Sequence, residues 1–202
     1  MKRIVVPGEY IKEDARLPFA YIEKDKAYSK VIGLYDEEKD TIIPLEGGYV
    51  PHVGDEIIGV IISERNGVYE VDIQHFNKCL LITGKRDEYI EEGTVISAKV
   101  KSIENRRTII VEMPRKLIGG MLIYIKPTKI PRVIGRNNTM IKMLTELTKT
   151  HIAVGMNGLV WLKGGNIALA IEALLRIENE AHIGGLTNRI KLMLENAEKE
   201  PR

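Results

Sequence analysis

The chain is 202 residues long, 44% hydrophobic and 29% charged, with a formal net charge of +2. That composition supports one to three small domains with a buried core and excludes a disordered tail. A single cysteine, Cys79, excludes an intrachain disulfide and any zinc site built on paired cysteines, and no apolar run approaches the roughly 18 residues of a membrane span.

Aromatic residues make up only 5%, so the core must be built from Ile, Val and Leu. The opening Met1-Lys2-Arg3-Ile4-Val5-Val6-Pro7-Gly8 lacks the apolar region of a signal peptide, so a cytoplasmic location without membrane contact is expected. Residues 1–50 read as an N-terminal β domain of short strands and polar turns. Within it, 31–35 and 41–45 flank the acidic turn Asp36-Glu37-Glu38-Lys39-Asp40 and predict a hairpin.

From Tyr49 the strands lengthen. Residues 56–63 form an apolar run broken by Gly59, and Asn66-Gly67 marks a tight turn into the alternating run 68–73. Further runs follow at 79–82, 94–103 and 108–113. Five strands over residues 51–116 suit a small closed barrel of the OB type. After Pro114 the period changes. The pattern predicts a strand at 121–125, a helical turn at 129–134, the loop Gly135-Arg136-Asn137-Asn138, and a helix over 139–150. A strand at 151–154, the turn Gly155-Met156-Asn157-Gly158, a strand at 159–162, and helices at 167–182 and 186–197 complete a C-terminal region, 117–202. The fold class is therefore mixed β and α+β.

Total charge does not mark a nucleic-acid binder, but its distribution is uneven. Residues 117–150 hold six basic side chains against one acidic, Glu146. Such a focused patch attracts phosphate even on a nearly neutral protein, though spare lysines on a solvated helix face give the same count.

Strand, helix, Gly-containing loop, helix, two strands and helix is the order of a type I K-homology (KH) domain, whose Gly-x-x-Gly loop lies along the phosphates of a single strand. Here the second glycine is replaced by Asn138. Asn tolerates a left-handed backbone, which leaves both an RNA-binding loop and a purely structural KH fold open. The barrel resembles the repeat of ribosomal protein S-one in Gly54-Asp55-Glu56-Ile57-Ile58-Gly59-Val60-Ile61 and in Gly93-Thr94-Val95-Ile96-Ser97-Ala98-Lys99-Val100. Such barrels stack bases on aromatics beside a basic groove. The aromatic candidates are Tyr69 and Phe76, with His75 beside them. Tyr69 shares a face with Val71 and Ile73, so it serves either as a stacking platform or as core. The basic candidates on the barrel are Arg65, Lys78, Lys99, Lys101, Arg106 and Arg107. On the KH region they are Arg132, Arg136 and Lys142, around Gly135, Asn137 and Asn138.

The three-part order resembles the RNA-binding cap subunit of the archaeal exosome, the ribosomal RNA-processing protein four family. Val5-Val6-Pro7-Gly8-Glu9, Pro127-Thr128-Lys129-Ile130-Pro131-Arg132-Val133-Ile134-Gly135 and Gly185-Leu186-Thr187-Asn188-Arg189-Ile190 carry the likeness. So does Gly155-Met156-Asn157-Gly158, which matches the family's Gly-x-Asn-Gly signature; from the residues it is a tight turn with Asn157 at positive φ or bonded to the local backbone.

The resemblance implies a subunit without catalysis of its own. In threes, such subunits sit on a ring of RNase PH-like proteins that degrade RNA from the 3′ end by phosphorolysis, with residues 1–50 on the ring. The charge focused at 117–150 and the basic stretch at 99–107 lead to the separate expectation that single-stranded RNA is held mainly through phosphates, with little base preference. A free-standing RNA-binding regulator is the alternative. His52, His75, His151 and His182 are scattered, and no nucleophile elbow, P-loop or His-Glu-x-x-His pattern occurs. No catalytic residue, metal site or cofactor is expected.

Overall fold

The computed structural model describes residues 2–13, 17, 19–45, 47–84, 89–105, 107–181 and 183–199. The chain divides into two compact units, 1–48 and 49–202.

The first unit holds β1 (Lys2–Val5), β2 (Tyr10–Glu13), β3 (Ala20–Glu23), β4 (Lys26–Ser29), β5 (Gly33–Asp36) and β6 (Thr41–Pro44). They form two antiparallel three-stranded sheets, β1-β5-β6 and β2-β4-β3. The expected hairpin is β5–β6, in register from Gly33 with Pro44 to Asp36 with Thr41. Its acidic turn is tied down locally. The Asp36 carboxylate accepts from the N–H groups of Glu38 and Lys39 at 3.2 and 3.3 Å, and the Tyr35 hydroxyl donates to Asp40 at 2.8 Å. Burial and the Asp40 carboxylate push the Tyr35 hydroxyl up to about 12. Val5, Ile11, Tyr35 and Ile42 form this unit's small core.

The second unit begins with a barrel of β7 (Glu56–Arg65), β8 (Val68–Asp72), β9 (Lys78–Ile82), β10 (Val95–Glu104) and β11 (Thr108–Lys116). The strands close in the order β10-β11-β9-β8-β7. β9 and β11 run parallel and the other pairs antiparallel. Asn66 and Gly67 both take positive φ, 54° and 79°, the backbone of the tight β7–β8 turn. Alternate residues point inward, among them Ile57, Val71, Leu81, Ile96 and Ile109. Cys79 lies in this core, where burial pushes its thiol up to about 12.

Next come β12 (Met121–Tyr124), α1 (Ile130–Ile134), α2 (Thr139–Thr148), β13 (His151–Val154), β14 (Leu159–Lys163), α3 (Ile167–Glu180) and α4 (Leu186–Lys199). The antiparallel sheet has the order β12-β14-β13, which with the β-α-α-β-β-α sequence is the type I KH arrangement. The Asn166 side chain caps α3 by accepting from Leu169 N–H at 3.0 Å.

Strand β14 explains why the barrel and the KH fold form one unit. Val160 and Leu162 point into a core shared with Ile125, Leu144, Leu174 and Ile190 of the KH side. Leu159 and Trp161 point the other way, onto Ile58 of the barrel, with Val95, Leu117, Leu122 and Ala153 around them. The sheet is thus apolar on both faces, one covered by helices and the other by the barrel.

Candidate nucleic-acid interface

The loop between α1 and α2 keeps the KH turn without its second glycine. Gly135 has φ 75°, and a Cβ there would come within 2.8 Å of both Met140 Cβ and Met140 N, so no side chain fits. Asn137 and Asn138 follow in the left-handed region at φ 53° and 62°, which Asn tolerates best after glycine. Arg136, Asn137 and Asn138 are exposed, and the Thr139 hydroxyl donates to Arg136 O at 2.8 Å. The result is an exposed, left-handed turn that carries the Arg136 guanidinium, a surface suited to phosphate.

Beside this loop lies a groove of about 580 Å³. Ile134, Ile141, Ile152 and Val154 supply its apolar lining, and Asn138, Lys142, Thr145 and Glu146 its α2 side. The opposite wall comes from the barrel, through Glu56, Ile58, Ser97, Arg115 and Leu117. A second cleft of about 320 Å³ shares Glu56, Ser97 and Arg115 and adds Gly54, Lys99 and Met113. The two form one trough running from the KH loop onto the barrel.

The Gly155-Met156-Asn157-Gly158 turn holds these walls together. Asn157 is 1% exposed and does not take positive φ, nor does its side chain bond the local backbone. Its Oδ1 accepts from Ile58 N–H at 3.1 Å, and its Nδ2 donates to Ile58 O at 2.7 Å and Ile73 O at 3.0 Å. This corrects the expectation of a local turn bond: the amide bonds the barrel, 84 and 99 residues away in sequence. Met156 N–H adds a bond to Glu56 O at 2.8 Å. A Cβ on Gly155 would overlap Asn157 Oδ1 and lie 2.7 Å from Ile58 N, so glycine is needed for the close approach. Gly158, at φ 94°, faces Ile125 O where a Cβ would overlap it.

A KH domain family model matches residues 120–168. The exosome complex component Rrp4 of Pyrococcus abyssi is 40% identical, over 96% of this chain and 82% of that protein. Rrp4 of Methanothermus fervidus is 36% identical over 93% of both chains. The chain belongs to the Rrp4 family of exosome complex components. A crystal structure assigned to an exosome complex RNA-binding protein superposes with a TM-score of 0.65 at 31% identity, over 76% of this chain and 98% of that one.

Against this frame the sequence-derived candidates separate. Asn138 and Lys142 line the groove, Lys99 lines the adjoining cleft, and Arg136 sits in the loop itself, while Arg132 is exposed on α1. Tyr69 is corrected: at 3% exposure it is barrel core, its hydroxyl accepting from Ile90 N–H at 3.3 Å, and it cannot stack on a base. Phe76 is 91% exposed in the β8–β9 loop, its ring 4.3 Å from that of His75. Half-burial lowers the His75 pKa, and its Nδ1 accepts from Asn77 N–H at 3.1 Å. Lys78 is paired with Glu70 at 3.4 Å and Lys101 with Glu112 at 3.7 Å, so both carry part of their charge internally. Arg65 and Arg107 are exposed and line neither cleft, and Arg106 lies outside the described residues. Sequence reasoning missed Arg115 and Glu56. The fifth barrel run, expected at 108–113, continues as β11 to Lys116.

Proposed function

We propose that this chain is a non-catalytic RNA-binding cap subunit of an exosome, holding single-stranded RNA and passing it to a 3′-to-5′ phosphorolytic ring of RNase PH-like subunits. The single observation that carries the reading is the trough. An apolar groove of about 580 Å³ sits beside a left-handed loop and continues onto an OB-type barrel within the same compact unit. A single strand can lay its bases on Ile134, Ile141, Ile152 and Val154 and its phosphates along residues 135–138, Arg136 and Lys142. Phe76, exposed on the barrel, supplies a separate stacking surface.

In this reading residues 1–50 form the ring-binding domain, 51–116 the barrel and 117–202 the KH domain, with three copies capping one ring. The sheet of β2, β3 and β4 leaves Tyr10, Tyr21 and Ile22 exposed in the first unit, apolar surface that a ring contact would cover. The test is binding of a labelled single-stranded RNA to the isolated chain across a salt series. Log affinity falls linearly with log salt, by about 0.7 per phosphate neutralised, and the Arg136→Ala, Lys142→Ala double variant flattens the slope. An unaltered slope and affinity in that variant removes the KH loop from the RNA path. RNA shortening by the pure chain, with phosphate or magnesium, overturns the non-catalytic assignment.

A further inference from the structure

The groove's barrel wall is built by an irregularity in the ladder. On β10 and β11, Lys99 pairs with Glu112 and Ser97 pairs with Arg115, so two steps on one strand meet three on the other. The extra residue lies at Met113–Pro114, and Met113 has φ 55°, a strained backbone for a methionine. Side chains alternate along a strand. In an unbroken ladder Pro114 would face Ser97 and Arg115 would point into the barrel core. The bulge turns Arg115 outward, into the row of Ser97 and Ile58 that faces the groove.

Glu56 stands in the same wall, its backbone fixed by the bond from Met156 N–H. Among the described residues neither the Arg115 guanidinium nor the Glu56 carboxylate has a side-chain partner. A phosphate approaching this wall meets attraction and repulsion together. A nucleobase edge, which carries both acceptors and donors, meets a matching donor fork and acceptor. The phosphate-suited loop lies on the α1–α2 side of the groove, so a strand held there directs its bases across the apolar lining toward Arg115 and Glu56.

We infer that Arg115 and Glu56 read base edges of single-stranded RNA in this groove and make the KH site base-selective. The inference rests on the RNA-binding reading above and departs from the weak base preference that the basic residues alone imply. The test uses the full chain and four labelled octamers: oligo-U, oligo-A, oligo-C, and oligo-U with one central guanosine. Wild type is expected to show at least about a fivefold spread in Kd, the lower end for a paired base contact. Arg115→Ala and Glu56→Ala each compress the spread to within about twofold, the loss falling on the tightest octamers, with the melting temperature unchanged. Arg115→Lys, which keeps the charge and loses the fork, also loses the spread. An equal loss for all octamers makes Arg115 a phosphate contact and overturns the inference, as does a wild-type spread in both variants. If wild type binds none of the four, the RNA-binding reading itself fails.

Discussion

Replacing Asn157 by Ala removes three hydrogen bonds from a site that water does not reach, and it leaves Ile58 N–H, Ile58 O and Ile73 O without the amide. At about 1 kcal/mol net per bond the loss is ~3 kcal/mol, and an orphaned buried N–H raises it toward about 5. Because the KH sheet and the barrel share the Ile58, Leu159 and Trp161 contact, the loss is felt by the whole second unit. For a unit of this size it lowers the melting temperature by ~6–20 °C, at roughly 2–4 °C per kcal/mol. Calorimetry reads this directly, and amide exchange at Ile58 accelerates. Asn157→Asp adds a pH signature. Burial and two facing carbonyls raise the new carboxyl's folded pKa above its unfolded value of about 3.9. The folded state then binds more protons, so stability is greatest below that value and falls as pH rises through the folded pKa. A melting temperature for Asn157→Ala within 1 °C of wild type, or an Asp variant indifferent to pH, refutes the claim that this amide fastens the KH domain to the barrel.

Other outcomes follow from the same geometry. Phe76→Ala should weaken single-stranded RNA binding by about 1–3 kcal/mol with an unchanged salt slope and melting temperature, read by anisotropy and calorimetry; unaltered affinity removes Phe76 from the path. Tyr69→Ala should do the reverse, costing about 3–5 kcal/mol of stability as a core truncation while the folded protein binds RNA normally, measured by urea unfolding and anisotropy. Glu180 accepts from Arg176 at 2.8 Å and Arg189 at 2.9 Å, which hold its carboxyl below 4.5. The α3–α4 packing therefore gains stability above that value and loses it as pH falls through the folded pKa, and Glu180→Gln should abolish this acid dependence in a pH series of melting curves.

The fold was legible wherever period and punctuation agreed. The alternation of Tyr69, Val71 and Ile73, the Asn66-Gly67 turn and the spacing of Met140, Leu144 and Leu147 each encode a local element, and the structure contains those elements. Asn138 could be assigned a left-handed backbone from its residue type alone, and it has one. What was illegible is non-local. Tyr69 faces inward because the strands close into a barrel, which alternation identifies as one face without saying which face is dry. Asn157 looks like any turn asparagine until β14 is seen packed against Ile58. Arg115 reaches the groove only because the ladder slips at Met113, and no residue in Glu112-Met113-Pro114-Arg115 announces a bulge apart from a proline that equally ends a strand. The basic residues were found by counting charge, which cannot tell Lys78 and Lys101, paired with Glu70 and Glu112, from Lys99 in the adjoining cleft.

The central claim is that this chain joins single-stranded RNA to a degradative ring. Size-exclusion chromatography of an RNase PH-like exosome ring with a labelled single-stranded RNA, run with and without the chain, tests it in one elution profile. The account predicts that chain, ring and RNA elute together at the ring's position, and that little RNA travels with the ring when the chain is left out. A chain that elutes apart from the ring, or a ring that retains the RNA equally well without it, would contradict the account.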